Sequence, residues 1–136
     1  MEEYILNEEI EVMCITAESF PDGVLAAHQK LHALFPLDQQ RRYFGLSRPN
    51  GKGGIIYKAA VEEINEGEAE NAKLESFTIE KGKYISELIP DFMKDVGQIE
   101  KVFEKLLNHQ NIDPNGYCLE MYINETDVRC MVGIKK

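Results

Sequence analysis

The sequence predicts an α+β fold: two βαββ units related by a pseudo-twofold axis, one antiparallel sheet, two helices packed on one face and a central cleft. Two observations predict this fold. Strand-like runs and amphipathic stretches follow each other in the same order twice, and the predicted helices begin near residues 21 and 95, an offset of about 74 residues. At 136 residues the chain has the usual size of one domain. We expect unit one over about 1–65, a connector over about 66–72 and unit two over about 73–136.

The first unit contains a strand, a helix and a hairpin. Residues 10–17 are rich in β-branched side chains and predict the first strand, which residues 1–9 either extend or precede as a frayed end. A helix is predicted over 21–35, because its proline suits the first turn and apolar residues recur at three- and four-residue spacing. Runs 42–47 and 55–64 predict a hairpin whose loop contains Asn-Gly and Gly-Gly pairs.

After the acidic connector the pattern begins again. Residues 74–80 and 84–89 are strand-like, either as one bent strand or as a strand that leads into another. A second apolar stripe predicts a helix from about residue 94 to 109. A loop rich in turn residues follows, and the unit closes with two strands over 117–123 and 128–134.

Charge and composition disfavour several classes of function. With 24 acidic against 15 basic residues the net charge is −9, so a phosphate backbone would be repelled and direct nucleic-acid binding is disfavoured. No apolar run approaches the length that crosses a bilayer, and the acidic start lacks the basic segment of a signal peptide. We therefore expect a cytoplasmic protein without membrane contact. The charge favours a cationic small molecule or a basic protein surface.

One carboxylate occupies an unusual position in the strand predicted over 117–123. Strict alternation gives this strand one apolar face and a second face formed by Cys118, Glu120 and Tyr122. A negative charge beside an aromatic ring and a small thiol suits the floor of a pocket for a cationic, partly apolar ligand, although the same pattern fits a solvent-facing strand. In the repeat, Glu120 corresponds to Gly45, which leaves one carboxylate at the junction of the units with space opposite it.

Other chemical patterns are weaker. His28 and His32 stand four residues apart, which is metal-ligand spacing, but no third ligand lies at motif spacing. We therefore expect no metal site, with one ring against the edge of the core and the other in solvent. The glycine-rich loop 48–54 precedes no helix, so phosphate binding is not expected. No nucleophile has a histidine partner at motif level, and we assign no catalytic residue and no cofactor.

Four short segments stand in an order and at a spacing that point to a known family: 43–46, 56–61, 79–84 and 118–123. Together they span most of the chain, which resembles the gyrase-inhibitor-like (GyrI-like) small-molecule-binding domains, also called bacterial effector-binding domains. The resemblance implies tandem βαββ (SHS2-like) units with a cleft in which a buried glutamate, here Glu120, meets cationic and aromatic ligands. Tyrosines and apolar side chains would line this cleft, and the matching aromatic residues are Tyr43, Phe44, Tyr57, Tyr84 and Tyr122.

The resemblance leaves three functions open. We expect a stand-alone sensor or sequestering protein with a promiscuous, multidrug-type pocket, since the chain leaves no room for the DNA-binding domain of the transcription regulators in this family. The first alternative is a hydrolase of reactive small molecules that uses Glu120 as a general base. The second is a module that acts on a protein partner, such as a gyrase or a regulator, through the glutamate-rich segment 62–70. We favour binding over catalysis, in a monomer or homodimer.

Overall fold

Eight antiparallel strands form one sheet in the computed structural model, which describes residues 1–36 and 40–135. The strands are β1 (Glu2–Leu6), β2 (Ile10–Thr16), β3 (Tyr43–Pro49), β4 (Ile55–Glu62), β5 (Glu75–Ile79), β6 (Gly82–Ile89), β7 (Cys118–Tyr122) and β8 (Val128–Gly133). The helices are α1 (Val24–Leu34), α2 (Glu68–Ala72) and α3 (Gly97–Leu107), and a 3-10 turn at Phe92–Lys94 precedes α3. No helix in the described residues is long and apolar enough to cross a bilayer.

The strand order confirms the predicted repeat and the α+β class. Across the sheet it is β1-β6-β8-β7-β3-β4-β2-β5. Outward from the central pair, β7-β8-β6 on one side mirrors β3-β4-β2 on the other, and each set encloses one long helix in sequence. The two units therefore meet along β3 and β7, and the pseudo-twofold axis lies between these strands.

The two outermost strands are exchanged between the units. β1 precedes β2 in sequence but pairs with β6 of the second unit, whereas β5 precedes β6 but pairs with β2 of the first. The expectation that residues 1–9 extend the first strand or fray is wrong, because Leu6 is buried in the core and anchors a separate strand. Of the two alternatives for 74–89, a strand that leads into another is correct: β5 is one edge of the sheet, and β6 lies next to the other edge strand, β1.

Both long helices pack on the same face of the sheet. Ala27 and Leu31 of α1 lie over the first unit, and Val102, Phe103 and Leu106 of α3 lie over the second. The face without helices also buries a core, which includes residues from the outer strands β1 and β5 as well as from the central strands. Such a core forms because the sheet curls into a half-barrel, so that its inner face packs on itself.

Two local features differ in detail from the sequence prediction. The segment 66–72, expected to be only a connector, contains α2, and Ala69 packs in the same core cluster as α1. Both long helices begin a few residues later than predicted, at Val24 and Gly97, because the residues before them form turns. Each of these turns carries a phenylalanine toward the junction of the units.

Candidate functional site

The site is built around a glycine and a glutamate that face each other at the centre of the sheet. In the pairing of β3 with β7, Gly45 lies directly opposite Glu120. Since these two residues also correspond in the repeat, the pseudo-twofold axis passes through their pair. A Cβ atom on Gly45 would lie 2.1 Å from Tyr57 Oη and 2.4 Å from Glu120 Oε1. Glycine is therefore required here, because it leaves the space that the carboxyl group and the phenol occupy.

The Glu120 carboxyl is buried and held by two phenols. It is 8% exposed, and Tyr57 and Tyr122 both donate hydrogen bonds to its Oε1, at 2.8 and 2.6 Å. No described residue donates a hydrogen bond to Oε2. One oxygen is thus fixed by the protein and the second is left for a proton or for a ligand.

Burial and hydrogen bonding act in opposite directions on this carboxyl. Burial raises the pKa of Glu120, and the bonds from Tyr122 and Tyr57 lower that pKa in part. Burial, together with the nearby carboxylate, also raises the pKa of both phenols, so they remain neutral donors. Within residues 1–36 and 40–135, no cationic side chain forms an ion pair with Glu120. When Glu120 is ionised, the described residues stabilise its charge through hydrogen bonds from neutral groups and not through a counter-ion.

His28 extends this network from helix α1. Its Nε2 lies 2.8 Å from Tyr57 Oη, and its ring packs edge-on against both Tyr57 and Tyr122, with centroid distances of 5.7 and 5.6 Å. Burial, followed by the neighbouring His32, lowers the pKa of His28 to about 4, so the ring is neutral at pH 7. The second ring of the pair, His32, packs against Tyr43 at 5.2 Å.

Neither histidine forms part of a metal site in the described part of the chain, where no group of three or more His, Cys, Asp or Glu is arranged to hold an ion. Sequence reasoning missed the contact of His28 with the tyrosines. The signal was present, because His28 stands in the apolar stripe of its helix, where an imidazole needs a polar partner from the sheet.

Two phenylalanines cover the phenols. Phe20, in the turn before α1, stacks on Tyr57 at 6.0 Å, and Phe92, in the 3-10 turn before α3, lies 5.6 Å from Tyr122. Phe20 is 44% exposed. Sequence reasoning missed both residues, although each stands shortly before a predicted helix. The site is consequently closed by aromatic side chains that come from both units.

Two further residues proposed from the sequence lie on the Glu120 face. Tyr43 pairs with Tyr122 across β3 and β7, and Cys118 lies two residues before Glu120 on the same strand. The Tyr43 hydroxyl lies within donating distance of the carbonyl oxygens of Pro36 and Phe35, at 2.6 and 3.0 Å, so it faces the end of α1. Burial raises the pKa of the Cys118 thiol to about 11, which keeps it neutral. Both side chains widen the apolar floor around the carboxyl.

Phe44 and Tyr84 are not brought to Glu120. Both belong to the core of the inner, helix-free face. The Tyr84 hydroxyl donates to the carbonyl oxygen of Glu80 and lies 3.4 Å from Tyr117 Oη. The alternation that separates Tyr43 from Phe44 could have excluded Phe44 from the sequence alone.

No protein-family model and no curated relative matches this chain. Solved structures do match it. SAV2435 bound to tetraphenylphosphonium has a TM-score of 0.70 and 19% identity, over 99% of this chain and 94% of that one. An integron cassette protein from the mobile metagenome of Vibrio cholerae has a TM-score of 0.69 and 14% identity, over 98% and 95%. A hydrolase from Listeria innocua has a TM-score of 0.58 and 10% identity, over 98% and 91%.

These similarities extend over nearly the whole length of the chains compared. Because the sequence identities are low, the similarities establish the fold and nothing more. The chain therefore shares the fold of these proteins, which is the fold that the resemblance to GyrI-like domains implied.

Proposed function

We propose that this chain is a binding protein for cationic aromatic or amphipathic small molecules, with Glu120 as the anchor of the ligand. The observation that carries the proposal is a buried carboxyl whose described partners are all neutral. A buried carboxylate without a cation is costly, so it either takes up a proton or binds a positive charge that offsets its lost hydration. A ligand cation beside Oε2 would supply that positive charge.

The surrounding rings suit such a ligand. Tyr57 and Tyr122 hold the carboxyl, Phe20 and Phe92 lie against them, and each aromatic face contributes about 0.5–2 kcal/mol to a well-placed cation. Aromatic contacts tolerate many ligand shapes, which favours a promiscuous site. The tetraphenylphosphonium bound by SAV2435 is a cation surrounded by aromatic rings, and it is the natural first probe.

Tyr43 and Cys118 form the edge of the proposed site, since they share the Glu120 face. Phe44 and Tyr84 are left out of it because they lie on the inner face of the sheet. Because Glu120 is 8% exposed, a ligand of this size must displace part of the aromatic cover. Phe20, exposed and carried by a turn, is the side chain that would move first.

The test is calorimetric titration of tetraphenylphosphonium into the wild-type chain and Glu120→Gln. Glutamine keeps the size of the side chain and an acceptor for the phenols but removes the charge, so we expect affinity to fall at least about tenfold. Glu104→Gln is the matched control, because Glu104 is exposed on α3 and its loss changes the net charge equally. Its affinity should stay within about twofold of wild type. Equal affinities of wild type and Glu120→Gln would contradict the proposal.

A second candidate function is hydrolysis, favoured by the free Oε2 of Glu120 and by the hydrolase that shares this fold. Oε2 would remove a proton from water, and a phenol would donate to the oxygen that develops negative charge. The raised pKa of Glu120 suits a base. Turnover of small electrophiles such as epoxides or activated esters, lost in Glu120→Gln, would support it. Binding of the same compounds without turnover would support the first proposal instead.

The acidic segment 62–70 offers less support for a protein-interaction module. Glu68 accepts two hydrogen bonds from the Arg41 guanidinium, at 3.0 and 2.6 Å, and these bonds, together with backbone N–H donors, lower the pKa of Glu68 to about 2. Glu62 pairs with Arg42 at 2.8 Å, and Glu63 accepts the backbone N–H of Ala69. These carboxylates stabilise the local fold, so we base no protein partner on them.

A further inference from the structure

We infer that His28 is a positioning residue of this site: its Nε2–H fixes the Tyr57 hydroxyl as a donor to Glu120 and so strengthens the hydrogen bond that stabilises the ionised carboxyl. The consequence for ligand affinity rests on the proposed function, whereas the role within the hydrogen-bond network does not. His28 acts through Tyr57, since the structure records its hydrogen bond with that phenol and none with the carboxyl.

The direction of each hydrogen bond follows from the chemistry of the groups. An ionised carboxylate only accepts, and a phenol has one hydrogen. Tyr57 gives that hydrogen to Glu120 Oε1 at 2.8 Å, so its oxygen must accept from Nε2 of His28, also at 2.8 Å. The neutral imidazole therefore carries its hydrogen on Nε2. In the other tautomer Nε2 would accept, and it would compete with Glu120 for the Tyr57 hydrogen.

The hydrogen bond from His28 Nε2–H to the Tyr57 hydroxyl and the hydrogen bond from that hydroxyl to the Glu120 carboxylate strengthen each other. A phenol that accepts a hydrogen bond becomes a stronger donor, most of all in surroundings from which water is excluded. Removal of the His28 donor would leave Tyr57 free to rotate its hydroxyl, and it would weaken the bond to Oε1. The hydrogen bond from Tyr122, at 2.6 Å, would then provide most of the stabilisation of the carboxylate charge.

The repeat shows that His28 is specific to this side of the site. The same offset that relates Gly45 to Glu120 relates Ala27 and Leu31 of α1 to Val102 and Leu106 of α3, and it places His28 at the position of Phe103. Phe103 is apolar and buried. The second unit thus supplies the carboxyl and the first supplies the imidazole, each at a position where the other unit carries a different kind of residue.

Other titratable groups surround the carboxyl on every element that packs against it. Burial raises the pKa of four of them on the sheet, Tyr57, Cys118, Tyr122 and Cys130, and burial lowers the pKa of His28 and of His32 behind it. On the sheet they are Tyr57 on β4, Cys118 and Tyr122 on β7 and Cys130 on β8, with Tyr43 on β3 at the edge of the site. These shifts keep the surrounding groups neutral at pH 7, so Glu120 is the group of the set whose titration reports on the network.

The experiment follows the Glu120 side-chain carboxyl by 13C NMR as a function of pH, with the resonance assigned by its loss in Glu120→Gln. The variants are His28→Phe, which copies the residue at the equivalent place in α3, and His28→Gln, whose amide restores an N–H donor at similar reach. We expect the midpoint to move up by about half a unit to one unit in His28→Phe and to return toward the wild-type value in His28→Gln. His32→Leu is the control and should leave the midpoint unchanged.

The same variants are then titrated with tetraphenylphosphonium at the wild-type carboxyl midpoint, where we expect His28→Phe to bind about two- to fivefold more weakly, because a smaller fraction of its Glu120 is ionised. Should His28→Phe not fold, His28→Leu takes its place. An unchanged midpoint in the apolar variant, or an equal shift in His28→Gln, overturns the inference. Because the NMR titration needs no ligand, a wild-type chain that fails to bind tetraphenylphosphonium contradicts the proposed function and leaves this test intact.

Discussion

At the scale of single residues, the structure depends on the contrast between Gly45 and Glu120. The two residues are equivalent in the repeat and lie opposite each other in the sheet. Gly45 has no side chain, and the Glu120 carboxyl occupies the space where a side chain at position 45 would lie. Any side chain at position 45 competes for that space with the carboxyl and with the Tyr57 hydroxyl.

Gly45→Ala should therefore destabilise the fold by about 2–4 kcal/mol and abolish binding of a cationic ligand, because its Cβ atom overlaps Glu120 and Tyr57. Denaturant unfolding measures the first effect and calorimetry the second. Gly133→Ala is a matched control on β8, where the nearest atom to the new Cβ lies 3.9 Å away, and it should cost less than about 1 kcal/mol. Equal stability of the two variants would refute the role given to Gly45.

The raised pKa of Glu120 predicts a specific dependence of stability on pH. Between the carboxyl pKa of the unfolded chain, about 4.3, and the higher pKa in the folded chain, the folded state binds more protons. The stability of the wild type should therefore fall as pH rises through that window and then level off, relative to Glu120→Gln. The wild type and Glu120→Gln share the effect of the lowered pKa of His28 on stability. The difference between their free energies of unfolding therefore reports the contribution of Glu120 alone. A difference that does not vary with pH would contradict the shift.

At the scale of elements, the exchange of β1 and β5 ties the two units together. The β-branched residues of 10–17 and the strand-like composition of 84–89 predict strands, but pairing between distant segments depends on which side chains are buried together in the core. Leu6 and Ile79, from the two outermost strands, belong to the same core cluster. Local sequence carries no signal for such long-range packing, and it therefore predicts residues 1–9 only as an extension of the first strand or as a frayed end.

Leu6→Ala should cost about 2–4 kcal/mol, as expected for a buried leucine and not for a frayed end, because Leu6 is 7% exposed within the inner core. Its neighbour Ile5 is 60% exposed, and Ile5→Ala should change stability by less than about 0.5 kcal/mol. Chemical denaturation of the two variants gives the comparison. Equal, small effects would show that β1 does not contribute to the folded core.

At the scale of the whole molecule, the class of fold and the anchor of the site were predictable, but the complete site was not. The repeat of elements predicted the architecture, and strand alternation placed Glu120, Tyr122 and Cys118 on one face. His28, Phe20 and Phe92 reach the site only because helix packing and turn geometry bring them there. The resemblance, in turn, grouped aromatic residues without regard to sheet face and so included Phe44 and Tyr84.

The net charge of −9 acts over a longer range than these contacts. It raises the local concentration of cations around the molecule, whereas the single buried carboxyl determines where a cation with aromatic groups would be held. Because salt screens the net charge but not the buried carboxyl, moderate salt should slow association of the ligand and leave the position of the bound ligand unchanged.

The most direct measurement is a crystal structure of the complex with tetraphenylphosphonium. We predict that the phosphorus atom lies within about 6 Å of the Glu120 carboxyl, with a phenyl ring against Tyr57 or Tyr122 and with Phe20 displaced. A ligand located instead in the depression on the inner face, between Phe77, Tyr117 and Lys58, or in the depression between β2 and α1, would contradict the assignment of Glu120 as the anchor.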